Sequence, residues 1–291
     1  MTGKAEAIAH GAATIVNAIA LGKGAAFGVD LWTKAEVRLT EELNVITGEI
    51  TSDPAESTAL IERTVARVFQ HFSVENRFGA KVKTSSNIPI ARGLKSSSVA
   101  ANAVALAAVA ALGKTLDDIA VVKLGVDAAF DAKVTVTGAF DDACASYFGG
   151  VVVTDNVKKT LIKRVVLPDD LAVLFHVPSR KAYTADSDVN RLKTVKPLVE
   201  IAYAEALKGN FWAALSLNGI IYSSALGYDT SVALDALEAG ALAAGLCGKG
   251  PAVTAVVSSD KIDSVKAALQ RHEGEGLQAR LNHEKARVLS Q

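Results

Sequence analysis

Cysteine and histidine are scarce in this chain, and their scarcity excludes several kinds of site. The two cysteines, Cys144 and Cys247, lie far apart in apolar surroundings. A disulfide framework is therefore not expected, and we predict buried thiols in an intracellular protein. The five histidines show no metal-ligand spacing, and no Ser-His-Asp arrangement can be argued from their order.

The sequence also lacks an excess of charge and a long hydrophobic run. Lys and Arg together number 31, as do Asp and Glu, so no general field attracts nucleic acid or acidic membranes. The most apolar run, residues 99–112, is too short for a membrane span, and Glu6 and His10 interrupt any signal sequence at the N-terminus. We expect a cytoplasmic protein with no nucleic-acid or membrane partner.

Half of the 291 residues are hydrophobic, enough for a large core in two closely packed domains. Short β-like segments in the first third surround a helix after residue 53, where Asp53 is the predicted N-cap, Pro54 the first helical residue and Glu56 the end of a capping box. Residues 96–112 read as a helix buried on most sides.

Beyond the Gly149-Gly150 pair, the pattern changes to β-rich segments followed by helices. We predict strands at 151–154, 161–167, 171–177, 252–258 and 279–289, and helices at 193–208, 210–226, 232–243 and 261–271. The predicted class is α+β, with mixed or antiparallel sheets packed against helices. The change of pattern places the domains at 1–153 and 154–291.

The most informative segment is Pro89-Ile-Ala-Arg92-Gly93-Leu94-Lys95-Ser96-Ser97-Ser98, which leads directly into the buried helix. A helix start offers unpaired N–H groups and a partial positive charge, so it is a ready anion site. Gly93 permits close approach to a phosphate, the serines offer hydroxyls to phosphate or Mg²⁺, and Lys95 adds a full charge. The alternative is an ordinary serine cap, which is a common local feature.

At this loop the chain resembles the GHMP kinases, the family of galactokinases, homoserine kinases and mevalonate kinases. Their loop has the form P-x-x-x-G-L-G-S-S-A, and here it reads P-I-A-R-G-L-K-S-S-S. The form G-L-K-S-S-S is similar to that of the archaeal shikimate kinases. The resemblance implies the two-domain GHMP fold, the cosubstrate ATP with Mg²⁺, and phosphate binding by Pro89, Arg92, Gly93, Leu94, Lys95, Ser96, Ser97 and Ser98. Ser97 and Ser98 are the candidates for reaching Mg²⁺.

A second family motif, residues 138–150, contains Asp141 and Asp142 at a helix start. The family places one catalytic carboxylate seven residues before the first glycine of a pair, which selects Asp142, whereas the spacing from Gly138 favours Asp141. Neighbouring helical residues point about 100° apart, so one acid is expected to face the substrate and the other to cap the helix. Both remain candidates.

Three further regions complete the candidate site. The segment from Gly245 to Gly250 resembles a second family loop, with Gly248, Lys249 and Gly250 as its members, although a plain helix-to-strand turn would look similar. The first family motif is recognisable in residues 11–17, where Thr14 replaces a lysine that some members use and Asn17 is a candidate substrate contact. Arg180 and Lys181, like Arg92, could anchor a substrate carboxylate, although solvated surface charge is the common role of such residues.

Two motifs are interpreted as decoys. Residues 108–115, ending in Gly113-Lys114-Thr115, nearly fit a P-loop, but they end a helix instead of following a strand. The glycines between Gly22 and Gly28 lack the setting of a dinucleotide site, and we predict a loop there.

The resemblance implies that the chain phosphorylates a hydroxyl of shikimate, giving shikimate 3-phosphate in aromatic amino-acid biosynthesis. Homoserine kinase or another GHMP kinase activity is the alternative within the family. A GHMP-fold sensor that binds ligand without turnover is the alternative from another class.

Overall fold

The computed structural model describes residues 3–90, 92–168, 170–179 and 189–291. The strands, numbered in chain order, are β1 (Lys4–Val16), β2 (Lys23–Thr40), β3 (Ile46–Ile50), β4 (Gly79–Ser86), β5 (Val151–Asp155), β6 (Thr160–Val165), β7 (Leu171–Val177), β8 (Ala243–Leu246), β9 (Val253–Ser258), β10 (Glu275–Arg280) and β11 (Arg287–Ser290). The helices are α1 (Ala59–Phe72), α2 (Ser96–Ala111), α3 (Asp118–Asp131), α4 (Phe140–Phe148), α5 (Val189–Thr194), α6 (Lys196–Lys208), α7 (Phe211–Leu226), α8 (Ser231–Glu238) and α9 (Ile262–Leu269).

The long strand β2 organises a seven-stranded sheet. β1 pairs with it antiparallel on one side, and on the other side β5 pairs with Lys23–Phe27 while β4 pairs with Thr33–Thr40. β11 lies outside β1, β6 outside β5, and β3 runs parallel to β4. The sheet is therefore mixed, and the end of β5 lies beside the start of β2, where the candidate site forms.

The sequence of α2 explains its central place. Of its 16 residues, 11 are alanine or valine, and most of the helix is buried, as the apolar run predicts. Small side chains let this helix pack closely on β1 and β2, while α4 packs on the same two strands. Helix α7 contacts both β1 and β8 and so joins the large sheet to the second one.

The second sheet is antiparallel, in the order β10-β7-β9-β8. Helices α8 and α9 pack on it around a separate small core. Together, the mixed sheet, the antiparallel sheet and the helices confirm the predicted α+β class. Strands from both sides of residue 153 enter the large sheet, among them β11. The division at residue 153 stays a prediction.

Two local predictions are wrong. Helix α1 begins at Ala59, so Asp53, Pro54 and Glu56 precede it and do not form its capping box. Instead, the Glu62 carboxylate accepts hydrogen bonds from the Thr58 hydroxyl at 2.8 Å and from the N–H of Gly48 in β3 at 2.9 Å. The bond to Gly48 links α1 to β3. This contact outside the helix favours a helix that begins at Ala59 and not near Asp53.

The glycine-rich segment 22–28 is also not a loop, because β2 begins at Lys23. A side chain at Gly24 would collide with the carboxylate of Asp141, and one at Gly28 would collide with the backbone of residue 282. These two glycines therefore allow other parts of the chain to pack closely against β2, and they do not form a turn.

Smaller differences concern element ends. Helix α8 ends at Glu238, and the strand β8 after it was not predicted. The single predicted strand at 279–289 is two strands, β10 and β11, which belong to different sheets. No helix in the described part of the chain is long and apolar enough to cross a membrane.

Candidate active site

The candidate site is a cleft of about 370 Å³ between the two glycine loops and the start of α4. The first turns of two helices, α2 and α4, reach its wall, with Ser96, Ser97 and Ser98 on one side and Asp141 and Asp142 on the other. Each helix start contributes unpaired N–H groups and a partial positive charge. The start of α2 would therefore stabilise an anionic group in the cleft, whereas the start of α4 presents two carboxyl groups beside it.

Both helices are preceded by a non-glycine residue in the left-handed conformation. Lys95 has φ of 64° before α2, and Ala139 has φ of 47° before α4. Such a conformation costs an L-residue on the order of 1 kcal/mol, and residues held in it cluster at functional sites. Here it turns the chain sharply, so that each helix begins at the edge of the cleft.

The ammonium group of Lys95 lies 3.0 Å from Asp142 Oδ2, and both side chains are almost completely buried. Burial lowers the pKa of Lys95, but the negative charges around it, chiefly that of Asp142, outweigh burial and leave that pKa raised. Lys95 therefore stays a cation. This ion pair connects the loop before α2 to the acidic start of α4.

The two glycine loops pack against each other around Lys95. A Cβ on Gly248 would lie 2.5 Å from the Lys95 ammonium nitrogen, and a Cβ on Gly93, with φ of 88°, would lie 2.8 Å from the carbonyl oxygen of Cys247. The N–H of Ala252 also donates to the carbonyl of Arg92 at 3.3 Å. Glycine is favoured at Gly248 by its φ of 63°, and at Gly93 both by the positive φ and by backbone atoms that occupy the space of a side chain.

Asp141 is held by a partner other than Lys95. Its Oδ1 accepts a hydrogen bond of 2.7 Å from the amide of Asn156, which follows β5. Burial, with the charge of Asp142 added, raises the pKa of Asp141 to about 7, although Lys95 and Asn156 act in the opposite direction. The N-cap residue of α4, Ala139, makes no side-chain capping bond, and the division of the two aspartates into a catalytic and a capping residue stays a prediction. Both acids line the cleft.

Asn17 joins the first strand to the second glycine loop. Its side-chain amide donates to the carbonyl of Gly248 at 2.8 Å, and its N–H donates to the side chain of Asn218 on α7 at 3.1 Å. The hydroxyl of Tyr222, one turn further along α7, donates to the Asn17 carbonyl at 3.0 Å. Asn17 thus lies in the wall of the cleft with its backbone fixed by α7.

The structure brings most of the predicted site together. Gly93, the Lys95–Ser98 segment, Asn17, the two aspartates, Lys249 and Gly250 all line the cleft, and Gly248 lies under Lys95. Leu94 is buried in the core, Pro89 lies outside the lining, and Arg92 donates to the carbonyl of Pro178 instead of entering the cleft. Arg180 and Lys181 lie outside the described residues.

Other lining residues were not predicted. Glu56 and the segment from Lys133 to Thr137, between α3 and α4, also line the cleft. Asn156 contacts Asp141 although neither its neighbours nor its spacing form a motif. Gly138, which was part of the second family motif, was the one local signal near the 133–137 segment.

Lys114, in the P-loop-like segment, lies at the other end of α2. This helix has 16 residues and therefore spans about 24 Å at 1.5 Å per residue. Gly113 terminates the helix with φ of 65°, and Lys114 is exposed. Lys114 and Thr115 are thus far from the cleft, as predicted.

The raised pKa of Asp141 predicts an effect on stability. Because the folded-state pKa, about 7, is above the ordinary value of 3.8, ionisation of Asp141 destabilises the fold. That cost is absent below pH 3.8, grows as the pH rises, and is complete above pH 7. We expect Asp141→Asn to increase the free energy of unfolding by on the order of 1–3 kcal/mol at pH 8 and to change it little at pH 4.

Urea unfolding of the two proteins at both pH values measures this difference. Asp263→Asn, at an exposed position in the first turn of α9, is the matched control. A difference between Asp141→Asn and the unchanged protein that does not vary with pH would contradict the raised pKa.

Comparisons with known proteins agree with this geometry. Residues 59–150 match the model of the GHMP kinases N terminal domain. The chain is 50% identical over 268 residues to the shikimate kinase of Methanosarcina mazei, covering 92% of this chain and 90% of that protein. It is 42% identical over 284 residues to the shikimate kinase of Methanothermobacter thermautotrophicus, covering 96% of each.

Solved structures share the fold at low sequence identity. Homoserine kinase from Cytophaga hutchinsonii superposes with a TM-score of 0.75 at 19% identity, covering 99% of this chain and 98% of that one. Mevalonate kinase from Methanococcus jannaschii gives 0.75 at 17% identity, covering 97% and 99%. The fold, the matched domain and the relatives lead to one conclusion: this chain belongs to the GHMP kinase family, in which it stands with the archaeal shikimate kinases.

Proposed function

We propose that this chain is a shikimate kinase, which transfers the γ-phosphoryl group of ATP to a hydroxyl of shikimate. The observation that carries the proposal is the buried pair of Lys95 and Asp142, at 3.0 Å, between the phosphate loop and the acidic helix start. Relatives named shikimate kinase, 50% and 42% identical over most of the chain, support the choice of substrate. The loop G-L-K-S-S-S supports it independently.

The loop from Gly93 to Ser98 would bind the phosphates of ATP. Its glycine brings the backbone close to a ligand, the first N–H groups of α2 face the cleft, and Lys95 supplies a full charge. Phosphoryl transfer has a loose transition state with charge spread over oxygens, so positioning and positive electrostatics are the main requirements. These residues provide both without covalent chemistry.

The same loop suits Mg²⁺ bound with ATP. Ser97 and Ser98 line the cleft and offer hydroxyl oxygens, which are ligands that this hard cation accepts beside phosphate oxygens. When bound, Mg²⁺ would add positive charge to the phosphates. In the described part of the chain no cluster of three or more acidic, histidine or cysteine side chains could hold a metal ion by itself. This fits a cation carried in mainly by the nucleotide.

Asp142 is the proposed base. Lys95 holds its Oδ2, whereas its Oδ1 is buried without a hydrogen-bond partner among the described residues, which leaves an acceptor for a substrate hydroxyl. As the hydroxyl oxygen attacks phosphorus, its proton passes to Asp142 and ADP leaves. The family position filled here by Thr14 lacks a lysine, but Lys95 brings an ammonium group to the acid from the phosphate loop.

A coupled ADP-release assay over shikimate, homoserine and mevalonate tests the substrate. We expect ADP release to depend on shikimate and on Mg²⁺, with at least a tenfold lower kcat/KM for homoserine, because each polar group of a binding site left unpaired by the wrong substrate costs about 1–3 kcal/mol. A preference for homoserine or mevalonate would leave the family assignment intact and remove shikimate. Calorimetric binding of ATP and shikimate without ADP release would instead identify a sensor.

A further inference from the structure

Three residues outside α4 surround the carboxylate of Asp141: Gly24, Thr154 and Asn156. Gly24, at the start of β2, leaves the space in which that carboxylate lies, since a Cβ there would be 2.4 Å from Asp141 Oδ2. Asn156, after β5, donates from its amide to Asp141 Oδ1 at 2.7 Å. Thr154, within β5, is the third member and contacts Asn156.

The hydrogen bonds determine which way the Asn156 amide faces. The Thr154 hydroxyl donates to Asn156 Oδ1 at 2.7 Å, with the Gly24 carbonyl as a longer second acceptor at 3.3 Å, and the nitrogen of the amide faces Asp141. The N–H of Asn156 is itself bound to the carbonyl of Gly22 at 3.0 Å, and the Thr154 carbonyl accepts from the Tyr203 hydroxyl at 3.2 Å. Asn156 is 4% exposed, so water does not replace these partners. The donor is therefore fixed before any substrate binds.

From these contacts we propose that Asn156 is a positioning residue of the kinase site: oriented by Thr154 and assisted by the space at Gly24, it fixes the direction and the charge of Asp141 beside the Lys95–Asp142 pair. An amide nitrogen can only donate, so the bond favours the carboxylate over the carboxylic acid. The catalytic role of Asn156 rests on the proposed function. Its contacts with Asp141 and Thr154 do not, because they are seen in the structure.

The charged and titratable groups around Asp141 come from three directions. Asp142 and Cys144 lie near it on α4, Lys95 approaches from the loop before α2, and Tyr222 approaches from α7. Burial and Asp142 favour the neutral acid, while Lys95 and Asn156 favour the anion. Removing the Asn156 donor leaves Lys95 as the main group that opposes neutralisation. The protonation of Asp141 should then move to higher pH.

The test follows the titration of Asp141 directly by the carboxyl ¹³C shift of ¹³C-aspartate protein, assigned by the signal that Asp141→Asn lacks. Asn156→Asp replaces the donor by a carboxyl group of the same shape. We expect it to raise the Asp141 midpoint by about one pH unit or more, since a charge-assisted bond is lost and a negative charge is added. Thr154→Val, which frees the amide, should raise the midpoint by a smaller amount, and Thr154→Ser should leave it unchanged.

Asn210→Asp is the matched control, because the Asn210 amide also donates to a carboxylate, that of Glu205 at 2.6 Å, but at an exposed place outside the lining of the cleft. It should leave the Asp141 midpoint and kcat unchanged. The pH profile of kcat in Asn156→Asp should shift with the midpoint. An unchanged midpoint in both Asn156→Asp and Thr154→Val would overturn the proposal. So would a fall in kcat without any shift of the profile, since that is the result of a merely structural role.

The titration needs no substrate, so its failure and the failure of the shikimate assignment are separate results. If Asn156→Asp does not fold, Thr154→Val keeps the shape of the strand and still tests whether the oriented Asn156 amide controls Asp141. Gly24→Ala supplies an independent check: it should displace the Asp141 carboxylate and change the same midpoint, whereas Gly276→Ala, in open space on β10, should not.

Discussion

Replacing Asp142 with asparagine is expected to lower turnover by about 10²–10⁴-fold while the affinity for ATP hardly changes. Asparagine keeps the size of the side chain and some hydrogen bonding, but it cannot take the proton of the attacking hydroxyl. Steady-state ADP release and calorimetric ATP binding measure the two quantities separately. Because the substitution also leaves Lys95 buried without its ion-pair partner, thermal unfolding should accompany the assay.

Asp263→Asn, exposed in the first turn of α9, controls for the loss of an acid at a helix start and should retain full activity. Asp141→Asn distinguishes the two acids. It should remain active, with the part of the pH dependence near pH 7 removed, because Asp141 titrates there. Full turnover in Asp142→Asn with a nearly dead Asp141→Asn would exchange their roles. Full turnover in both would mean that positioning and phosphate electrostatics alone carry catalysis.

Replacing Lys95 with alanine should reduce kcat/KM by at least about tenfold, equivalent to about 1.5–3 kcal/mol of transition-state stabilisation. Two losses add: the phosphates lose a charge-assisted contact, and Asp142 loses the cation that holds its Oδ2 at 3.0 Å. Lys95→Met keeps the length of the side chain without the charge and should behave in the same way. Michaelis parameters for both substrates of the reaction show how the loss divides between binding and turnover.

Lys114→Ala is the matched control for this prediction. Lys114 follows α2 at the end away from the cleft, within the P-loop-like segment, so its removal should leave activity nearly unchanged. The opposite ranking, with Lys114→Ala inactive and Lys95→Ala active, would show that the phosphate site lies at the C-terminal end of α2, beside Lys114.

The local sequence was sufficient for prediction where one short segment carries both the structural pattern and the expected function. The apolar run of α2 was recognisable as a buried helix, and the glycine, lysine and serines before it predicted an anion site. The choice between Asp141 and Asp142 could not be made in this way. Each acid is distinguished by a partner remote in the chain, Asn156 for the first and Lys95 for the second.

The errors have the same origin. The residues from Asp53 to Glu56 form a good capping sequence, yet α1 begins at Ala59, where Glu62 also bonds to β3. The glycines at 22–28 suggested a loop because glycine weakens a strand. Two of them, Gly24 and Gly28, nevertheless lie within β2, where Asp141 and the backbone of residue 282 approach closely. In both cases a contact with another element outweighed a local preference.

The sequence by itself determined the α+β class and the family, and it predicted the phosphate loop and the two candidate acids, because these depend on short patterns of residue type. Only the tertiary structure decided that Lys95 pairs with Asp142, that Asn156 and Gly24 hold Asp141, and that Arg92 turns away to Pro178. The physical reason is that charge pairing and burial act through space. Their strength depends on distance and exclusion of water, which no spacing along the chain records.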